Sequence, residues 1–103
     1  MIVIGVDFDE TIVTKDKDNN LILLPNVKES MINIVRHNYI FVLNTCRGEE
    51  RFDEAVSFIK KNKLPVYITL DDRKVSADIY IDDKNLGCKG IDWKDIEKEL
   101  LNE

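Results

Sequence analysis

Residues 2–13 read IVIGVDFDETIV, an apolar run that meets Asp7, Asp9 and Glu10 just where it ends. Its first part, IVIGVD at 2–7, is β-branched and almost wholly apolar, the composition of a strand buried on both faces of a parallel sheet. The sheet is therefore expected to be centred on this segment. Asp7 and Asp9 are two residues apart, so in an extended chain their side chains leave on the same side, just past the strand.

Beyond this run, IVTKDKDNNLILL at 12–24 sets the polar group Lys15 to Asn20 between two β-prone arms, with Asn19-Asn20 as turn chemistry. That pattern predicts a β-hairpin. Pro25 and Asn26 can open a helix whose apolar positions Val27, Met31, Ile34 and Val35 recur at helical spacing, ending near His37-Asn38. YIFVLNT at 39–45 is a second buried strand. Gly48 precedes EERFDEAVSFIKKN, which has acids in its first turn, lysines in its last, and Phe52, Ala55, Val56 and Ile59 on one face. Leu64-Pro65 stops this second helix. Short strands are then expected at 66–70, VYITL, and 78–82, DIYID. After the Gly87 to Gly90 loop, Asp92 caps a last amphipathic helix through about residue 101, with Trp93, Ile96, Leu100 and Leu101 facing inward.

This order predicts an α/β fold: a Rossmann-like, mostly parallel sheet flanked by helices, in a single domain over residues 1–103. Any site should form from loops at the strands' carboxyl ends. The seven residues between the last two strands cannot hold a full crossover helix, and fully extended they reach only about 25 Å. A chain of 103 residues with 44% hydrophobic content is the size of one domain with one core. No apolar stretch approaches the roughly 20 residues needed to cross a bilayer, so no membrane partner is expected. Met1 leads straight into a strand without a basic or cleavable leader, and a cytoplasmic protein is expected. Cys46 and Cys88 lack zinc-site spacing and are too few for a disulfide framework, which makes them reduced thiols or small packing residues. A net charge of -5 argues against tight, sequence-independent binding to nucleic acid, although not against a nucleotide substrate.

Asp82 and Asp83 end the strand at 78–82. If that strand neighbours the first, four carboxylates converge, and each like-charge pair at 4 Å costs about 4 kcal/mol at an effective dielectric of 20. A cation is expected there. Hard oxygen ligands with few other donors favour Mg²⁺, which keeps several waters and pairs with one or two carboxylates and a substrate phosphate. Thr45 ends the second strand and is followed by Cys46, Arg47 and Gly48 at a helix start, where free backbone N–H groups and a hydroxyl can hold a phosphate. Lys74, before the last strand, can neutralise a carboxylate or a phosphate. Each feature alone has a plainer reading: an acidic pair solubilises a turn, Thr45 and Thr11 cap or turn the chain, and Arg47 and Lys74 are solvated charges.

Taken in order, the four segments resemble the motifs of the haloacid dehalogenase superfamily of phosphotransferases. Asp7-Phe8-Asp9-Glu10-Thr11 is similar to its DxDxT signature, Thr45 in LNT to its second motif, Lys74 in KVSADIY to its third, and Asp82-Asp83 in YIDDKN to its acidic fourth. The resemblance spans residues 2–85. It implies that Asp7 is a nucleophile forming an aspartyl-phosphate and that Asp9 is the general acid and base. It further implies Mg²⁺ held by Asp7, the Asp9 backbone carbonyl and Asp83, with Asp82 direct or through water. Thr45 would bind the phosphoryl oxygens, Lys74 would hold and offset Asp7, and Thr11 and Arg47 would stand by the substrate. The expected enzyme is a hydrolase, a Mg²⁺-dependent phosphomonoester phosphatase acting on a phosphorylated small molecule or macromolecule.

Some features depart from the family pattern. Glu10 stands where relatives often carry a small residue, and its charge would repel highly anionic substrates. Arg73 competes with Lys74 for the third-motif cation. There is room only for the hairpin at 12–24, so the chain resembles the minimal, capless branch, with a haloacid-dehalogenase-like core and a hairpin flap. Such an open site suits a large phosphorylated partner, or a small substrate covered by another subunit; monomer and homo-oligomer both remain open. Lys15 and Lys17 on the hairpin are candidates for touching substrate. The alternatives are a phosphotransferase or polynucleotide 3'-phosphatase of the same superfamily, and a phosphoryl-binding regulatory module without turnover.

Overall fold

Among the described residues, nine elements follow one another: β1 (Ile2–Val6), β2 (Val13–Lys15), β3 (Leu21–Leu23), α1 (Val27–Val35), β4 (Tyr39–Leu43), α2 (Glu49–Lys61), β5 (Val66–Tyr67), β6 (Ile79–Ile81) and α3 (Trp93–Leu101). They come from a computed structural model that describes residues 1–44, 49–68, 76–82 and 91–101, with Glu49 and Glu50 described by backbone alone. Four strands form a parallel sheet in the order β5-β4-β1-β6. With three helices flanking it, the architecture is α/β and compatible with a Rossmann-like fold.

The registers show why β1 is so apolar. Ile4 pairs with Phe41 and Ile79, and Val6 pairs with Leu43 and Ile81. Partners in a parallel register point to the same face, so these six side chains form one apolar layer. Buried residues of all three helices join the same cluster: Val27, Met31 and Ile34 of α1, Ala55 and Ile59 of α2, and Trp93 and Ile96 of α3. Trp93 meets Phe41 edge-on at 5.9 Å between ring centroids, and the Tyr39 hydroxyl donates to the Leu100 carbonyl at 3.0 Å. These contacts seat α3 against β4.

The hairpin forms as expected, with β2 and β3 antiparallel. Its turn is closed by the Asp16 carboxylate, which accepts from the Asp18 and Asn20 amides at 2.9 Å each, and by Asn19 at φ 66°. Helix α1 opens directly after Asn26, as expected. Asn26 does not cap with its side chain; it takes a left-handed backbone, φ 65°, and its carbonyl accepts from the Ser30 amide at 2.9 Å. Asparagine tolerates that conformation better than other non-glycine residues, and here it turns the chain out of the hairpin. Asp92 does cap α3, accepting from the Lys94 and Asp95 amides at 3.0 and 3.3 Å.

Strands are shorter than the sequence suggests: β1 ends at Val6, β4 at Leu43, and β5 spans only Val66–Tyr67. The connection expected at 71–77 falls mostly outside the described residues, which resume at Ser76. Since β5 and β6 lie on opposite edges of the sheet, it spans three strand spacings, about 14 Å. Residues 69–75 lie outside the described ones.

Candidate functional site

The strand order decides where the acidic residues meet. From β1 the chain moves outward through β4 to β5, then returns to place β6 on the other side of β1. The topological switch point thus lies between β1 and β6, and in open α/β sheets ligands bind in the crevice outside the carboxyl ends at such a point. Asp7 follows β1 and Asp82 follows β6. The ladder continues one residue past β1 and β4, since the Asp7 amide donates to the Ile81 carbonyl at 3.0 Å and the Asn44 amide donates to the Val6 carbonyl at 2.8 Å. Asp7, Asp9 and Asp82 are all half-buried.

Local structure fixes the segment after β1. Phe8 is fully buried and meets Phe58 of α2 edge-on at 6.0 Å, so Asp7 and Asp9 flank a side chain anchored in the core. The Phe8 amide donates to the Asp7 carboxylate at 2.8 Å. The Phe8 carbonyl accepts from the amides of Thr11, Ile12 and Val13 at 3.3, 2.9 and 3.3 Å, and the Glu10 amide donates to the Val13 carbonyl at 2.8 Å. This tight loop requires a left-handed Glu10, φ 58°. Thr11 is fully buried, and its hydroxyl has no hydrogen-bond partner among the described residues. Its carbonyl accepts from the Trp93 indole N–H at 2.8 Å, which ties the loop to the last helix.

Two contacts here were invisible in the sequence. The indole clamp joins residues 82 positions apart, and nothing local in either segment signals it. Asp78, by contrast, belongs to the opposite end of the sheet: its carboxylate accepts from the Val3 amide at 2.8 Å, and its own amide donates to the Val3 carbonyl at 2.9 Å. It secures the start of β6, a structural task distinct from that of the acids at the carboxyl ends.

No protein-family model matches the chain, and no curated protein matches it. A solved structure of a conserved protein from Bacteroides thetaiotaomicron is similar, with 28% sequence identity over 98% of this chain and 90% of that one, at a TM-score of 0.78. Its description names no activity, so the likeness bears on the architecture.

Of the residues singled out in the sequence, Asp7, Asp9, Thr11 and Asp82 are described, and they come from the β1 and β6 ends. Thr45, Arg47, Lys74 and Asp83, together with the alternative Arg73, lie outside the described residues. Among the described residues no three His, Cys, Asp or Glu side chains gather as a metal site. The donors at the switch point are nonetheless hard carboxylate oxygens on adjacent strand ends, a partial set of the kind Mg²⁺ takes alongside water and substrate phosphate. Among the described residues no helix is long and apolar enough to cross a membrane.

Proposed function

We propose that the chain is a Mg²⁺-dependent phosphomonoester phosphatase of the haloacid dehalogenase type, in a capless form with the β2–β3 hairpin as flap. The observation that carries the proposal is the juxtaposition of Asp7 and Asp82 on neighbouring parallel strands at the switch point, joined by the Asp7 amide to Ile81 carbonyl bond. It makes the DxDxT segment and the acidic fourth segment spatial neighbours although 75 residues separate them. The reading is also supported by the tight loop that anchors Phe8 between the two aspartates.

In this mechanism a carboxylate oxygen of Asp7 attacks phosphorus while Asp9, protonated, gives its proton to the departing alkoxide, so the phosphorus–oxygen bond of the ester breaks as that of the aspartyl-phosphate forms. Asp9, now ionised, takes a proton from water, whose oxygen attacks the same phosphorus. Inorganic phosphate leaves and the Asp7 carboxylate returns. Asp7, the Asp9 carbonyl and Asp83, with Asp82 direct or through water, would hold Mg²⁺, which supplies charge neutralisation of the phosphoryl oxygens. Thr45 would orient the phosphoryl group, and Lys74 would offset the charge on Asp7.

The test is phosphate release from p-nitrophenyl phosphate, with Mg²⁺ or EDTA, by the wild type and Asp7→Asn. Release is expected to need Mg²⁺ and to fall by roughly 10³-fold or more in the variant, with an unchanged circular-dichroism spectrum. Undiminished release by Asp7→Asn would remove the proposed nucleophile, and release in EDTA would remove the metal.

A further inference from the structure

Glu10 is an unusual residue for its backbone. A left-handed φ of 58° costs an L-residue what it does not cost glycine, yet the chain keeps a charged side chain at that position. Backbone strain of this kind is found where the surrounding structure holds it for a purpose. The side chain is exposed, but it does not sweep freely through solvent: both carboxylate oxygens lie 3.1 Å from the Thr14 hydroxyl at the base of the hairpin. The loop beneath it is closed by the Glu10 to Val13 bond and clamped by Trp93. A negative charge is therefore held at the base of the hairpin by the residue that follows Asp9 in the chain.

We infer that Glu10 sets substrate charge, favouring phosphomonoesters of alcohols that carry an ammonium group over those that carry a second anionic group. The inference rests on the phosphatase reading above and concerns the leaving group, since the transferred phosphoryl group meets its own neutralising residues. A fixed carboxylate near a second substrate charge, partly screened by salt, changes the relative kcat/KM by about threefold to tenfold. Thr14 positions that charge, and Glu10 acts at a distance without touching the reacting atoms.

The experiment compares kcat/KM for phosphoethanolamine and fructose 1,6-bisphosphate at low and high salt, in the wild type, Glu10→Gln, Glu10→Gly and Glu10→Asp. The ratio of the first ester to the second is expected to fall by about threefold to tenfold in both the Gln and the Gly variants, to persist in Glu10→Asp, and to converge in high salt. A ratio unchanged in Glu10→Gln, or changed only in Glu10→Gly, overturns the inference, because it assigns the effect to backbone and not to charge. Hydrolysis of neither ester, nor of p-nitrophenyl phosphate, by the wild type would instead overturn the phosphatase reading, and the inference with it.

Discussion

Lys63 occupies the left-handed position that closes α2, with φ 54°. The Leu64 amide donates to the Ile59 carbonyl and the Lys63 amide to the Lys60 carbonyl, both at 3.1 Å, the paired bonds of a Schellman ending. Glycine is the residue suited to that place, so Lys63→Gly should stabilise the protein by about 1 kcal/mol. In thermal unfolding this corresponds to a rise of about 4–8 °C; a fall would show that the lysine side chain makes contacts worth more than the strain. At the other kind of helix end, Asp92→Ala should cost about 1 kcal/mol, measured by urea unfolding, by removing the acceptor for the Lys94 and Asp95 amides. The Asp92 cap was legible because a capping residue followed by amphipathic spacing is a local signal. The role of Asn26 was not, because the same residue type serves as a cap or as a left-handed turn, and the path of the chain out of the hairpin decides between them.

At the scale of elements, β1 contains a glycine where propensity would favour a β-branched residue. The reason is the neighbouring strand: a Cβ at Gly5 would meet the Tyr80 ring at 2.8 and 3.0 Å and Ala77 Cβ at 3.4 Å. Tyr80 is Gly5's register partner on β6, and its hydroxyl accepts from the Ala77 amide at 3.0 Å, so the ring is held across the strand. Gly5→Ala should destabilise by about 1–3 kcal/mol through overpacking. In a Tyr80→Ala background most of that penalty should vanish, and a double-mutant cycle by urea unfolding that showed no coupling would refute the account. Trp93→Phe should cost about 1–3 kcal/mol, since it leaves the Thr11 carbonyl without its indole donor; the same unfolding assay checks it. The hairpin, the helices and the parallel character of the sheet were readable from periodicity and turn chemistry. Strand order was not, because pairing partners such as Gly5 and Tyr80 are distant in sequence and neither segment carries a mark of the other.

At the scale of the whole molecule, α1 and α3 are joined at the surface by the Glu29–Lys94 ion pair, 2.8 Å. The hydrogen bond that the Lys94 ammonium donates to the Glu29 carboxylate raises its pKa above the usual 10.5. A raised cation contributes stability that is present below its unfolded value and is lost as pH climbs through the folded one. Glu29→Gln and wild type should therefore differ most near neutrality and converge above about pH 10.5, by urea unfolding; a gap that widened at high pH would contradict this. The candidate site was legible in outline, because Asp7 and Asp82 each end an apolar run. Their adjacency was conditional on strand order, and the structure supplies it. Thr45, Arg47, Lys74 and Asp83 follow from the resemblance and lie outside the described residues. That order also has a consequence for how the chain is made. Ile4 pairs with Ile79, so when β1 leaves the ribosome, one of its edges waits for a strand 75 residues behind it. At about 5–20 residues per second the wait lasts several seconds, during which an apolar strand edge is open to other nascent chains. Asp7 and Asp9, at the end of that edge, are gatekeeping charges as well as candidate chemistry. Until β6 arrives, the nascent chain has no switch point, and so no crevice in which a phosphate could be bound.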